Sequence, residues 1–175
     1  MNPGAHRVRA NLQSKFMHVK HGLLLAVICY LAPTLPSQAN DMLPFDTVRQ
    51  QFRTTQDLTR VSHLYRRCAA LHLNVAALLL KKKRGVAAKD YEHLANHFMM
   101  LSERLDIEID KKLGLKTAKP MEAVSLSVRG LAELYDQRMK TNLAQRGDAI
   151  AGDSGLESEL AECLKPDVLA KSVGR

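Results

Sequence analysis

From Cys68 to Leu80 the chain runs for 13 residues without a formally charged side chain. That run lies inside a longer periodic pattern. Leu58, Val61, Tyr65, Cys68, His72, Val75 and Leu79 recur at spacings of 3 and 4, which is one helical seam. Leu64, Leu71 and Leu78 widen the seam, and Ala69, Ala70, Ala76 and Ala77 occupy faces where a surface helix would carry Lys or Glu. A helix that is apolar all round is buried all round. The run is too short for a bilayer, which needs about 20 apolar residues. The chain is therefore expected to wrap other helices around a central helix over about 55–83.

The rest of the chain supplies those partners. Residues 40–53, with Pro44, read as a lead-in loop or a short irregular helix. Thr54-x-x-Asp57 resembles a capping box for the central helix, with Asp in place of the usual Glu or Gln. Lys81-Lys82-Lys83-Arg84-Gly85 reads as its end, with cations at the negative pole of the helix dipole and a glycine suited to the left-handed cap. A second helix is expected over about 87–113, with Tyr91, Leu94, Phe98, Leu101, Leu105, Ile109 and Leu113 inward. Pro120 fits the first position of a third helix, whose seam is Met121, Val124, Val128, Leu131, Tyr135 and Met139 and which ends near Arg146-Gly147. Residues 147–153 read as a flexible loop, and Ser154-x-x-Glu157 as a capping box opening a short helix with Leu156, Leu160 and Cys163 on one face. No segment alternates like a strand. The fold class is all-α: a small helical bundle of three long helices and one short C-terminal helix in a single domain over 54–175.

The N-terminal segment has a different character. Arg7, Arg9, Lys15 and Lys20 precede the apolar run Leu23–Ala32; Pro33 and Pro36 follow, then the small residues Ser37 and Ala39. This is the secretory pattern, with residues 1–39 as the expected signal peptide. Initiation at Met17 would give a leader of more ordinary length. A lipoprotein is disfavoured because Ile28, not a small residue, precedes Cys29. Cleavage after Ala39 would remove 4 of the 26 Lys and Arg and none of the 18 Asp and Glu, so the mature charge is 22 − 18 = +4. That is an ordinary surface value, and no nucleic-acid partner is expected from it. Cys68 and Cys163 remain as one pair in an oxidising compartment, so a Cys68–Cys163 disulfide is expected. None of the asparagines begins an N-x-[ST] sequon, which favours a bacterial periplasm over a eukaryotic secretory route; the location expected is exported, in the bacterial periplasm or secreted.

The search for chemistry is mostly negative. There is no glycine-rich phosphate loop. Cys68-Ala-Ala-Leu-His72 lacks the second thiol of a haem attachment motif, and His93-Leu-Ala-Asn-His97 has Leu94 where a zinc protease needs its glutamate. One stripe stands out: Asp90, His93, His97 and Met100, at i, i+3, i+7 and i+10 on the second helix, could offer ligands to a zinc or copper ion. The plainer reading is a polar helix flank, with no cofactor. His72 and Asn74 lie in the uncharged run, where His72 is expected as a neutral, hydrogen-bonded core histidine and Asn74 needs a partner if buried. Lys81–Arg84 reads as a solvated helix end, with an anionic partner as the alternative. Arg60, Arg67 and Arg104 could face a bundle cleft. The function expected is a non-catalytic exported binding or accessory module for an envelope or secreted protein. The alternative is a metal- or small-ligand-binding bundle using the Asp90–Met100 stripe.

Overall fold

The computed structural model describes residues 42–116 and 118–165. The expected signal peptide, residues 1–39, lies outside them. Five helices follow in order: α1 (Phe45–Thr55), α2 (Leu58–Lys81), α3 (Gly85–Leu113), α4 (Pro120–Arg146) and α5 (Ser154–Cys163). The described chain is all-helical, and no helix in it is long and apolar enough to cross a membrane.

Helix α2 is the hub. It packs against each of the other four helices, most extensively against α3. Val61, Leu64, Tyr65, Cys68, Leu71, His72 and Val75 of the expected seam are all buried, and Ala69 and Ala70 are fully enclosed. The enclosure is not complete to Leu80, however. Ala77 is exposed, and Leu73 and Leu80 keep 37% and 53% of their surfaces in solvent, so the continuously buried stretch is residues 67–72, with Val75 and Ala76 buried beyond it. In the last turn of α2, Leu78 and Leu79 still pack against the core, while Leu80 and Lys81 face solvent.

The lead-in is a regular helix rather than a loop. Phe45, Val48 and Phe52, at i, i+3 and i+7, bury one face of α1, and Pro44 starts the helix instead of breaking it. This moves the cap of α2. Thr54 and Thr55 donate their hydroxyls to the carbonyls of Gln50 and Gln51 inside α1, and Asp57 is the residue whose carboxylate accepts the Thr59 N–H at 2.9 Å. At the far end, Gly85 is the first residue of α3, and the left-handed position of the turn is taken by Lys83, with φ 58°. The short turn makes α2 and α3 antiparallel neighbours.

Helix α3 packs through small side chains. Ala88, Ala95, Phe98, Ser102 and Leu105 are its buried residues, while Tyr91, Leu94, Leu101 and Ile109 are half-buried and Leu113 is exposed. The expected seam was thus rotated toward the larger residues. Alanines at 69 and 70 on α2 and at 88 and 95 on α3 allow close backbone approach. Helix α4 buries Val124, Val128, Leu131, Tyr135 and Met139 as its spacing predicts, and Pro120 sits at its first turn.

Residues 147–153 are closed by hydrogen bonds. Asp148 accepts from the N–H groups of Ile150 and Ala151, and Arg146 donates to the Gly152 carbonyl at 2.9 Å. The cap of α5 is shifted by one residue from the expected box: Asp153 accepts the Leu156 N–H, and Glu157 reaches back to the Gly152 N–H. Cys68 and Cys163 form the expected disulfide, with Cα atoms 5.3 Å apart.

Candidate functional site: a cleft between α1, α2 and α4

The bundle is organised around a buried charge. Arg67 and Glu159 are 2% and 3% exposed, and Arg67 Nη2 lies 2.7 Å from Glu159 Oε1. Arg67 Nε donates to the same oxygen at 2.8 Å, and Nη1 donates to the Leu43 carbonyl at 2.6 Å. The Tyr135 hydroxyl donates to Glu159 Oε1 and receives Arg67 Nε at 3.3 Å. The Phe45 ring lies 5.5 Å from the guanidinium carbon. One arginine on α2 thereby ties together the chain entering α1, α4 and α5. Burial opposes ionisation of the Tyr135 hydroxyl, and the Glu159 carboxylate beside it pushes in the same direction, so this tyrosine stays protonated.

Arg67 of this knot also lines the main cleft, a cavity of about 670 Å³ partly open to solvent. Thr59, Arg60, His63 and Arg67 line it from α2, where positions 60, 63 and 67 share one helix face. Leu131 and Leu134 close it from α4, and Met42, Leu43 and Val48 from the α1 side. Asp57 joins the polar wall at the cap of α2, so that wall is charged and hydrogen-bonding, with two arginines and one carboxylate, and the other is aliphatic.

The polar wall is unevenly engaged. Arg67 is held by the knot. Arg60 donates one terminal nitrogen to Gln51 Oε1, and its Nε sits 3.6 Å from Asp57 Oδ2 with no hydrogen-bond partner. Desolvation, followed by the positive charges of Arg67 and Arg66, lowers the proton affinity of His63, so its imidazole is neutral at neutral pH. Arg60, already engaged with Gln51 and Asp57, and the neutral ring of His63 are therefore the polar groups that a guest in the cleft would meet. Of the arginines expected to face a cleft, Arg60 and Arg67 do so, while Arg104 is exposed on α3.

The remaining sequence candidates fall elsewhere. Asp90, His93, His97 and Met100 are all exposed along the outer side of α3, with Met100 at 45%. Among the described residues no group of three or more His, Cys, Asp or Glu side chains is arranged to hold a metal ion. His72 is fully buried, with Nε2 3.1 Å from the Cys163 carbonyl and its ring stacked on Phe98 at 5.6 Å. Burial holds its proton affinity below the ordinary value, the Cys163 carbonyl opposing only in part. Asn74 is half-buried and finds its partners in the carbonyls of Ala132 and Ala70, at 2.9 and 3.0 Å.

Sequence reasoning missed Glu159, Tyr135 as a polar partner, and His63. Glu159 lies one residue before Leu160 in a helix with few apolar positions, and a lone glutamate reads as surface. The available signal was Arg67, a charge one residue before the buried Cys68 and on the helix judged most central. A buried arginine requires an acid.

No family model, curated protein or solved structure matches this chain.

Proposed function

We propose that this chain is an exported, non-catalytic binding module, and that the cleft between α1, α2 and α4 receives its guest. One observation carries the reading: an aliphatic wall of Leu131, Leu134 and Val48 faces a polar wall that carries Thr59, Arg60 and the neutral ring of His63 beside a single carboxylate, Asp57. Concave sites of this size, mostly apolar with a few convergent polar groups, are where small ligands bind. The guest class that matches is an amphipathic molecule with an anionic or hydrogen-bond-accepting end.

A binding role is favoured over a catalytic one by what the polar groups already do. Arg67 gives its donors to Glu159, Tyr135 and the Leu43 carbonyl, and Asp57 caps α2. The Cys68–Cys163 disulfide and the secretory pattern of residues 1–39 support an exported location, the bacterial periplasm or the exterior. The partner expected of such a module is another envelope or secreted component.

The test uses anilinonaphthalene sulfonate, a probe with an apolar body and one anionic group. The native protein should enhance its fluorescence saturably with one site per chain. Leu134→Asp, a half-buried position at the cleft wall, should abolish the enhancement while leaving the helical circular dichroism intact. No saturable signal, or equal binding by the folded variant, would sink the reading.

A further inference from the structure

We propose that the end of the bundle formed by the α2–α3 turn docks on an anionic lipid surface. Lys81, Lys82, Lys83, Arg84 and Lys89 are all exposed, and residues 81–89 contain no acid. Among the described residues none of these five cations forms an ion pair, although Lys82 helps to hold the Asp148 carboxyl below the usual range. The first turn of α3 carries neither an acidic residue nor a side-chain cap, and Asp90 and Glu92 lie beyond it, so no acid within residues 81–89 offsets the charge.

Aliphatic side chains stand among the cations. Val86, at 83% exposure, and Leu80, at 53%, flank the basic run. Leu143, 52% exposed at the end of α4, opens onto the same end of the bundle beside Lys81. Cations alone would suit any acidic surface. Protruding aliphatic groups between them suit a bilayer interface, where the cations meet phosphate headgroups and the aliphatic groups enter the boundary with the acyl chains. With no spanning helix among the described residues, such docking is peripheral and reversible.

The chain contains no tryptophan, so a single introduced indole reports its own position. Val86→Trp in the full-length protein should shift its emission to the blue on mixed phosphatidylglycerol–phosphatidylcholine vesicles. Ile107→Trp, exposed on the same helix and about 32 Å further along its axis, should not shift. Adding Lys81→Gln, Lys82→Gln and Lys83→Gln should weaken partitioning about 100-fold, at about fivefold per charge. High salt should act in the same direction. The proposal is overturned if Val86→Trp does not respond, if Ile107→Trp responds equally, or if the neutralised, folded variant binds like its parent. An equal shift on pure phosphatidylcholine overturns it as well. Loss of the shift in millimolar inorganic phosphate would assign the cations to a free phosphate ion instead of a membrane.

Discussion

Glu159→Gln should be among the most damaging single changes in this protein, although it alters one atom type. Arg67 is 2% exposed, and Glu159 supplies its only carboxylate. The isosteric amide keeps the shape and removes the charge. The single oxygen that the amide keeps can still accept the Tyr135 hydroxyl and Arg67 Nε, so what is lost is the charge. Removing one partner of a buried ion pair strands the other charge, at about 3–5 kcal/mol. That is a large share of the 5–15 kcal/mol, roughly, that holds an ordinary domain together. With a urea slope of about 2 kcal/mol/M, the unfolding midpoint should fall by about 2 M. Replacing the whole knot with apolar groups of similar volume, Arg67→Met, Tyr135→Phe and Glu159→Leu, should cost less than Glu159→Gln alone, because no charge is then left buried. The assay is urea unfolding followed by far-ultraviolet circular dichroism with the disulfide intact. A loss below about 1 kcal/mol for Glu159→Gln would refute the claim that Arg67 is held in a desolvated site.

Three further outcomes are expected. Cys163→Ser opens a loop of 95 residues, which loop entropy values at about 4–5 kcal/mol; hydrogen exchange should show α5 losing protection before the middle of α2, and uniform loss would contradict this. Burial opposes ionisation of Asp153, but hydrogen bonds from Arg138, Asn142 and the Leu156 N–H hold its carboxyl well below the usual range. Its stabilisation is therefore present above about pH 4 and lost as the pH falls below that, so the thermal midpoint of Asp153→Asn, which keeps a capping side chain, should decline less between pH 5 and pH 2 than that of the wild type; parallel declines would remove Asp153 from the account. Protein recovered from its native host should begin at Asn40, and an N-terminus at Met1 or Met17 would contradict cleavage.

Much of this architecture is written in one-sided periodicity. The seam of α4 was readable because Val124, Val128, Leu131, Tyr135 and Met139 are large, apolar and evenly spaced. The seam of α2 was readable for the same reason, and the two mature cysteines allowed only one pairing. Helix α3 misled because its closest packing uses Ala88, Ala95 and Ser102, and small residues carry little hydrophobic signal. Helix α1 was obscured by its short length and by Pro44, which signals a helix start as readily as a break. The least legible feature was the one that organises the site. Arg67 and Glu159 are separated by 92 residues, and each reads as a surface charge until the fold brings them together. The same holds for Arg49 and Glu162, which join α1 to α5 at 2.9 Å. Helix α5 is held by more than its disulfide: these ion pairs, the Asp153–Arg138 contact and the His72 hydrogen bond to the Cys163 carbonyl hold it as well.

The cleft is best tested by locating a bound probe on the molecule. Backbone amide shifts of the isotope-labelled protein, recorded by nuclear magnetic resonance during titration with anilinonaphthalene sulfonate, should move most at Arg60, His63, Leu131 and Leu134, with lesser changes along α1. Shifts that are largest at Lys81–Arg84, or spread evenly over the chain, would contradict a guest site between α1, α2 and α4.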